Sequence, residues 1–217
     1  MSPRSWLASL ALLVGSVGFE PYWGQDVLLL PEAPRQVPTQ VIVPDVLPQE
    51  TWVVSGVLAP AAAASSAIPQ LGYPLAQAAE SMDPWGWRFS KLRSAWRMHT
   101  GVDLAAPQGT SVLAAQAGRV ALVETVSGYG NTVLLKHGGG WQTLYAHLHA
   151  TTVVSGQLLD QGESLGSVGM TGSASGPHLH FELRRQGSEL LALDPTPHLP
   201  PLLPPPPLPP LVATIEP

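Results

Sequence analysis

No cysteine occurs in this chain, so disulfide bonds and cysteine-ligated zinc sites are both excluded. Any metal would have to be held by histidine and carboxylate groups. Charged residues make up only 12% of the 217 residues, and the net charge is −5. A nucleic-acid-binding protein normally presents a basic face, so this composition argues against a nucleic-acid partner.

Proline is scarce in one block of the chain and abundant on either side of it. Only Pro107 and Pro177 lie between residues 99 and 183, whereas 10 of the 24 prolines lie in residues 195–210. Of the 21 glycines, 15 lie between Gly101 and Gly187. A glycine-rich block between proline-rich arms is typical of a turn-rich β domain flanked by linkers.

The N-terminal 83 residues predict export rather than a second catalytic domain. Residues 1–18 combine Arg4, an apolar run and small residues, which is the layout of a secretory signal. No clean Ala-x-Ala follows, so cleavage and retention as an envelope anchor both stay open. Residues 19–83 carry nine prolines, which forbid long elements, and we interpret them as an irregular spacer. A strand at 51–57 and a short helix at 75–82 are the regular elements considered there. We therefore expect a periplasmic, envelope-bound or secreted protein.

Short β-branched segments separated by turn residues fill residues 84–199. The Gly/Asn-rich stretch at residues 127–131 predicts a hairpin turn between two of them. Strands are predicted at residues 111–115, 118–127, 132–137, 141–149, 151–154, 164–168 and 178–185. The predicted fold is mainly β, an antiparallel sheet or sandwich of short strands with irregular proline-rich arms.

Tryptophan and arginine are dense in residues 84–98, at the start of this block, which contain Trp85, Trp87, Arg88, Arg93, Trp96 and Arg97. Such a cluster can form a cation–π surface or stack nucleic-acid bases. Because the chain is acidic overall, we favour a wall that packs on the domain or lines a substrate groove.

Two histidines stand two residues apart in the stretch from Thr171 to Glu182. Side chains alternate along a strand, so His178, His180 and Glu182 share one face and the apolar residues share the other. A sheet does not need two adjacent imidazoles for packing, whereas zinc commonly binds them. Glu182 is open to two interpretations, a carboxylate that orients a metal ligand and a solvated side chain on an edge strand.

Three more polar groups complete the set of candidate site residues. His99 and Asp103 lie four residues apart in a predicted loop that enters a strand, and His147 lies in the predicted strand at 141–149. The alternation places His147 on the same face as Tyr145 and His149. With His178 and His180, these groups suffice for three metal ligands and two acid–base residues, but spacing alone does not assign the roles.

Three separated motifs resemble the signatures of the M23 zinc metallopeptidases, the lysostaphin- and LytM-type peptidoglycan endopeptidases. They are His99-x-Gly-x-Asp103, Tyr145-Ala-His-Leu148 and Gly176-Pro-His-Leu-His-Phe-Glu182. The resemblance extends over about residues 85–195. It implies that His99, Asp103 and His180 hold one Zn²⁺ per chain and that His147 and His178 are the catalytic histidines. Among the histidines of the predicted strand at 141–149, only the resemblance selects His147 over His149.

The resemblance implies a zinc-dependent endopeptidase that hydrolyses peptide bonds in peptidoglycan cross-links or stem peptides. Zinc would activate water near neutral pH, with one of His147 and His178 moving the proton and the other stabilising the oxyanion. Which histidine has which role stays open. The alternative is a catalytically idle module of the same fold that binds the cell wall or regulates another hydrolase.

Residues 200–217 are dominated by proline and leucine. Such a sequence predicts polyproline II or disorder rather than helix or sheet. A passive tail is favoured over a spacer across the wall or a ligand for a proline-binding partner.

Overall fold

The structure is a computed structural model, and it describes residues 31–47, 70–91 and 94–201. The predicted export signal, the strand considered at 51–57 and nearly all of the proline-rich tail lie outside the described residues. Within the described ranges, no helix is long and apolar enough to cross a membrane.

The described residues form thirteen strands and no α-helix. The strands are β1 (Gln40–Ile42), β2 (Ser81–Asp83), β3 (Gly86–Ser90), β4 (Ala95–His99), β5 (Val102–Ala105), β6 (Ser111–Leu113), β7 (Gly118–Val126), β8 (Gly130–Lys136), β9 (Trp141–Thr151), β10 (Leu158–Leu159), β11 (Ser164–Val168), β12 (His178–Gln186) and β13 (Leu190–Leu193). Two short 3₁₀ turns occur at Gly138–Gly140 and Thr196–His198. All strand pairs are antiparallel, which confirms the predicted fold class.

Eleven of these strands form one sheet whose main path runs β1–β13–β12–β9–β8–β7–β10. Strand β12 lies inside the sheet, because β9 pairs with it on one side while β5 and β13 share the other side. The stretch from His178 to Glu182 is therefore not an edge strand: its backbone pairs with β5 from His178 to Phe181 and with β9 from His180 onward. β3 and β4 form a separate two-stranded hairpin.

Both faces of the central strands are buried. On one face Tyr145 packs edge-on against Phe181, with ring centroids 5.4 Å apart, inside a large apolar cluster. On the other face Leu144 and Ala146 pack with Leu122 and Leu134. Full burial of a leucine or phenylalanine side chain of this kind contributes about 1.5–3 kcal/mol. The strands that carry the polar groups of the site are therefore fixed by a core on each side.

The sequence predicts an irregular spacer at residues 19–83. The described part of this segment, residues 31–47 and 70–83, belongs to the folded domain. β1 pairs with β13, and β2 pairs with β5. Val46 and Leu47, which follow β1, pack on the apolar cluster around Leu144. The helix considered at residues 75–82 is wrong, since residues 81–83 form β2 and residue 75 makes an isolated β-bridge. Proline density excluded long elements here, but it did not exclude three-residue strands that complete a sheet.

The Trp/Arg stretch forms the β3–β4 hairpin, as one wall of the domain. Its tryptophans bind the segment before β1 through the indole N–H groups of Trp85, Trp87 and Trp96. These groups donate hydrogen bonds to the backbone carbonyls of Pro38 (2.7 Å), Gln36 (3.0 Å) and Pro31 (2.7 Å). A two-stranded hairpin is marginal by itself, so this segment supplies packing that the hairpin lacks.

The strands predicted from the glycine-punctuated block are largely confirmed. Those at 118–127, 132–137, 164–168 and 178–185 match β7, β8, β11 and β12 within about two residues. The strand predicted at 151–154 does not continue beyond Thr151, and β13 was not predicted. The turn between β7 and β8 forms as expected, with Gly128 and Gly130 at positive φ.

Candidate metal centre and catalytic histidines

His99, Asp103 and His180 meet at one point of the sheet. His180 and Asp103 are direct cross-strand partners on β12 and β5, and His99 ends β4 just before β5. The Asp103 Oδ1 atom lies 2.7 Å from His180 Nδ1 and 3.1 Å from His99 Nε2. The two ring nitrogens are 3.2 Å apart. Three potential metal-ligand atoms therefore converge within one coordination sphere.

Hydrogen bonds on the far side of each ring fix which nitrogen faces this point. His99 Nδ1 lies 2.9 Å from the carbonyl oxygen of Pro84, and His180 Nε2 lies 2.9 Å from Glu182 Oε1. Because those oxygens only accept, each of these nitrogens carries the hydrogen. When both rings are neutral, as metal binding requires, His99 Nε2 and His180 Nδ1 therefore direct their lone pairs toward Asp103.

Three electron-rich atoms this close together are stabilised by a positive charge, which a proton on His180 or a bound metal ion can supply. Burial alone would lower the pKa of His180, but hydrogen bonds and charge from Asp103 and Glu182 raise it to about 9. Burial would raise the pKa of Asp103, yet its hydrogen bonds with His180 and His99 hold it well below the usual range. Two imidazole nitrogens and one carboxylate oxygen are a donor set that zinc takes in catalytic sites, so these residues fit zinc.

Two further histidines lie beside this cluster. The rings of His147 and His178 have centroids 4.7 Å apart, and His147 is 5.8 Å from His180. His147 Nδ1 donates to the Thr171 carbonyl at 2.7 Å, and His178 Nδ1 donates to the Gly176 carbonyl at 2.8 Å. Each ring therefore leaves Nε2 free for chemistry, and His178 Nε2 lies 3.7 Å from Asp103 Oδ1.

His147 is neutral at physiological pH. Burial is the main cause that lowers its pKa, to about 4, and the nearby His178 and His180 act in the same direction. The hydrogen bond to the Thr171 carbonyl opposes this shift only in part. A neutral imidazole whose Nδ1–H is engaged can accept a proton at Nε2.

The backbone of β9 is irregular at His147, and this irregularity brings the ring into the site. His147 has φ = 60°, and its N–H donates to the Tyr129 carbonyl at 2.8 Å. The predicted alternation is therefore wrong at this position: Tyr145 packs in the core beside Phe181, whereas His147 lies beside His178 on the other side. His149 is exposed and contacts Gln108, so it is not part of the cluster.

The left-handed backbone of His147 predicts an unusual order of variant stabilities. A non-glycine residue in this conformation costs about 1 kcal/mol or more. Both His147→Gly and His147→Ala lose the imidazole, but only glycine relieves this strain, so His147→Gly should be the more stable of the two by about 1 kcal/mol. Urea unfolding of both variants measures the difference.

His149 provides the matched control, two residues further along the same strand without a positive φ. There the order should be reversed, with His149→Ala more stable than His149→Gly by about 0.5–1 kcal/mol. If alanine is preferred over glycine at both positions, the backbone at His147 is not strained.

Glu182 is a fully buried carboxylate rather than a solvated one. It accepts hydrogen bonds from His180 Nε2 (2.9 Å), Thr100 Oγ1 (2.7 Å), the Tyr129 hydroxyl (2.9 Å) and Arg184 Nε (2.5 Å). Burial would raise its pKa, but His180 and Arg184 lower it to about 2, so it stays ionised. It orients His180 from behind, which is the first of the two interpretations left open by the sequence.

Sequence reasoning missed Thr100, Tyr129 and Arg184 as members of this network. Arg184 could have been found, because the period-two pattern of β12 places it on the face of His180 and Glu182. Tyr129 lies in a turn, and no local pattern signals that its hydroxyl reaches Glu182.

An open cleft of about 580 Å³ lies in front of the histidines. Its walls include Arg97, Thr100, Ser127, Tyr129, Ser173 and Ser175 besides the cluster itself. A smaller hollow of about 240 Å³ shares Asp103, Ser175 and His178 with it. Space is therefore present on two sides of Asp103, which suits an extended chain that passes across the cluster.

The comparisons with known proteins agree with this geometry. Residues 97–192 match the description "Peptidase family M23". The chain is 44% identical over 119 residues to the DD-carboxypeptidase/endopeptidase Mpg of Neisseria meningitidis, covering 54% of this chain and 27% of Mpg. It is 38% identical over 95 residues to the peptidoglycan DD-endopeptidase ShyA of Vibrio cholerae, covering 44% of this chain and 22% of ShyA.

The chain therefore spans only about a quarter of the length of these curated relatives. A chain of the SpoIIQ–SpoIIIAH pore-forming complex superposes with a TM-score of 0.50 and 22% identity, covering 60% of this chain and 90% of that one, which shows a shared fold alone. The matched sequence, the antiparallel fold and the order of its motifs agree: residues 97–192 of this chain form a domain of peptidase family M23.

Proposed function

We propose that this protein is a zinc-dependent endopeptidase that hydrolyses peptide bonds in peptidoglycan cross-links or stem peptides. The observation that carries the proposal is the convergence of His99 Nε2, Asp103 Oδ1 and His180 Nδ1 beside two further imidazoles at the floor of an open cleft. The name of ShyA supports peptidoglycan as the substrate class, and the name of Mpg supports peptide-bond hydrolysis.

His99, Asp103 and His180 would hold one zinc ion per chain. Zinc bound there would supply Lewis-acid chemistry, which polarises a peptide carbonyl and activates water near neutral pH. Asp103 offsets part of the charge, and Glu182 keeps the His180 ring oriented through Nε2–H. The chain's own contribution is this fixed orientation, which requires no rearrangement during the reaction.

His147 and His178 would act as the acid–base pair. Neutral His147 accepts a proton from the attacking water at Nε2, because its Nδ1–H is held by the Thr171 carbonyl. His178, whose Nε2 lies 3.7 Å from the Asp103 carboxylate, would in its protonated form stabilise the oxyanion of the tetrahedral intermediate. The proton then passes to the leaving amine.

The catalytically idle alternative is disfavoured by the residues themselves. A silent module of this fold would lack one of the ligands or acid–base groups or have a blocked cleft. Here all five side chains are present, and none of the described residues blocks the cleft in front of them. A peptidoglycan substrate also requires export, in agreement with the signal-like pattern of residues 1–18.

Metal removal tests the proposed function directly. The purified protein should convert cross-linked muropeptides in isolated walls into uncross-linked products or cut their stem peptides. A chelator should abolish this activity, and added Zn²⁺ should restore it. The products are separated by chromatography and identified by mass.

The His149→Ala variant is the matched control for this experiment. It removes an exposed imidazole from the same strand as His147 and should retain the wild-type rate. Hydrolysis that survives complete metal removal would contradict zinc dependence, and walls left intact by the zinc-loaded protein would contradict the substrate class.

A further inference from the structure

The β3–β4 hairpin has two chemically different faces. Cross-strand partners lie on the same face, and the faces alternate along each strand. Trp87 opposes Met98 and Phe89 opposes Trp96 on an apolar face, part of which is held by the segment before β1. Arg97 lies on the opposite face, which it shares with His99. The hairpin thus presents a guanidinium on the same side as a residue of the candidate metal centre.

Arg97 is the arginine that lines the cleft, and its charge is not paired by any of the residues that the structure describes. Its cross-strand neighbour Arg88 is engaged by Asp83 at 2.8 and 3.0 Å. Arg97 is exposed and lines the cleft, and no carboxylate in the described ranges 31–47, 70–91 and 94–201 forms an ion pair with it. Among the described residues, the carboxylate that lines the same cleft is Asp103, which is hydrogen-bonded to the histidines.

The spacing of Arg97 limits where its ligand can be. Residues two apart on one strand face are separated by about 7 Å. If the scissile peptide bond of a substrate is bound next to His99, the Arg97 guanidinium is therefore within one or two substrate residues of that bond. A guanidinium binds a carboxylate through two parallel hydrogen bonds, which makes it selective for that group over neutral ones. In a chain of net charge −5, such a local cation also attracts anionic groups to the cleft.

We propose that Arg97 is a specificity-determining residue that binds a free carboxylate of the substrate peptide, one or two residues from the scissile bond. The proposal rests on the proposed function, and it adds that the substrate must carry this carboxylate unmodified. A peptide whose carboxylate has been converted to the carboxamide is then a poor substrate.

A matched pair of peptides tests the proposal. The two share one sequence containing the scissile bond and differ only in a free carboxylate or carboxamide at the neighbouring acidic residue. The zinc-loaded wild type should prefer the carboxylate by about 10- to 100-fold in kcat/KM, the size of a charge-assisted hydrogen bond. Arg97→Ala should reduce this ratio to near one, and Arg97→Lys should retain part of it.

Arg119→Ala is the control, because it removes an exposed arginine that does not line the cleft. It should keep the wild-type ratio. Equal cleavage of the two peptides by the wild type, or a preference that survives Arg97→Ala, overturns the proposal while leaving the peptidase function intact.

Binding measurements separate this proposal from the proposed function. Calorimetric titration of both peptides into zinc-loaded His178→Ala, with and without Arg97→Ala, needs no turnover. If the wild type cleaves neither peptide, the peptidase function fails for this substrate class. An affinity for the carboxylate peptide that depends on Arg97 then still supports the subsite, and equal affinities for the two peptides overturn it.

Discussion

Replacing His180 by alanine is expected to lower zinc content sharply and to remove turnover with it, whereas His178→Ala should keep about one zinc per chain. His180 supplies one of only three protein ligands, so its loss should also remove any metal-dependent stability. His178→Ala should instead lower kcat by about 10² to 10⁴, the usual contribution of a general acid–base group.

His178 and His180 are two residues apart on one strand face. They differ in which ring nitrogen donates a hydrogen bond to the protein on the side away from Asp103. In His180 the Glu182 carboxylate holds Nε2–H, so Nδ1 faces Asp103 at 2.7 Å. In His178 the Gly176 carbonyl holds Nδ1–H, so Nε2 is the free nitrogen, at 3.7 Å from Asp103. Ligand distance therefore favours His180, and the outer position suits an acid–base role for His178.

Metal analysis beside hydrolysis rates decides between these roles. His147→Ala should behave like His178→Ala, and Asp103→Asn should behave like His180→Ala. His149→Ala controls for the loss of an imidazole outside the cluster. Loss of zinc in His178→Ala with retention in His180→Ala would reverse the assignment, and unchanged hydrolysis in all four variants would move the active site elsewhere.

The period-two pattern predicted most of β7, β8, β9 and β12, because each is long and bounded by glycine-rich turns. It did not predict β1 or β13, which are short and stabilise one another across about 150 residues of sequence. The local β propensity of a segment does not depend on such a distant partner. Propensity therefore fails to predict strands of three or four residues that are stabilised mainly by that partner.

The candidate site residues were found from motifs, but their geometry was not. His147 was placed on the face of Tyr145, and only the positive φ of the His147 backbone moves it beside His178. Histidine is among the residues that tolerate a positive φ, but nothing in the sequence of Tyr145–Leu148 predicts it. Glu182 remained ambiguous for a related reason, since its burial follows from the position of β12 inside the sheet.

The buried pair Glu182–Arg184 predicts that stability and metal affinity can be separated. Both side chains are fully buried, and the Arg184 guanidinium is held by Glu182 Oε2 and the Tyr129 hydroxyl. Glu182→Leu would leave this guanidinium as an unpaired buried charge and should destabilise the protein by about 3–5 kcal/mol. It should also weaken zinc binding by about 10- to 100-fold, because His180 Nε2–H loses its acceptor.

The double variant Glu182→Leu/Arg184→Met should recover part of the stability and none of the metal affinity. It removes the unpaired charge of Arg184, whose Nη1 has no hydrogen-bond partner within the described part of the chain even in the wild type, but His180 Nε2–H, Thr100 and Tyr129 still lack the acceptor that Glu182 provided. The acceptor for His180 stays absent in the double variant, so its zinc affinity should match that of Glu182→Leu.

Urea unfolding of the metal-free proteins and zinc titration measure the two effects independently, and Arg184→Met alone completes the cycle. That variant keeps Glu182, the acceptor for His180 Nε2–H, so it should lose less zinc affinity than Glu182→Leu. If the double variant regains zinc affinity together with stability, Glu182 acts on the metal centre only through the fold. If it regains neither, the two side chains pack the core in a way that methionine and leucine do not replace.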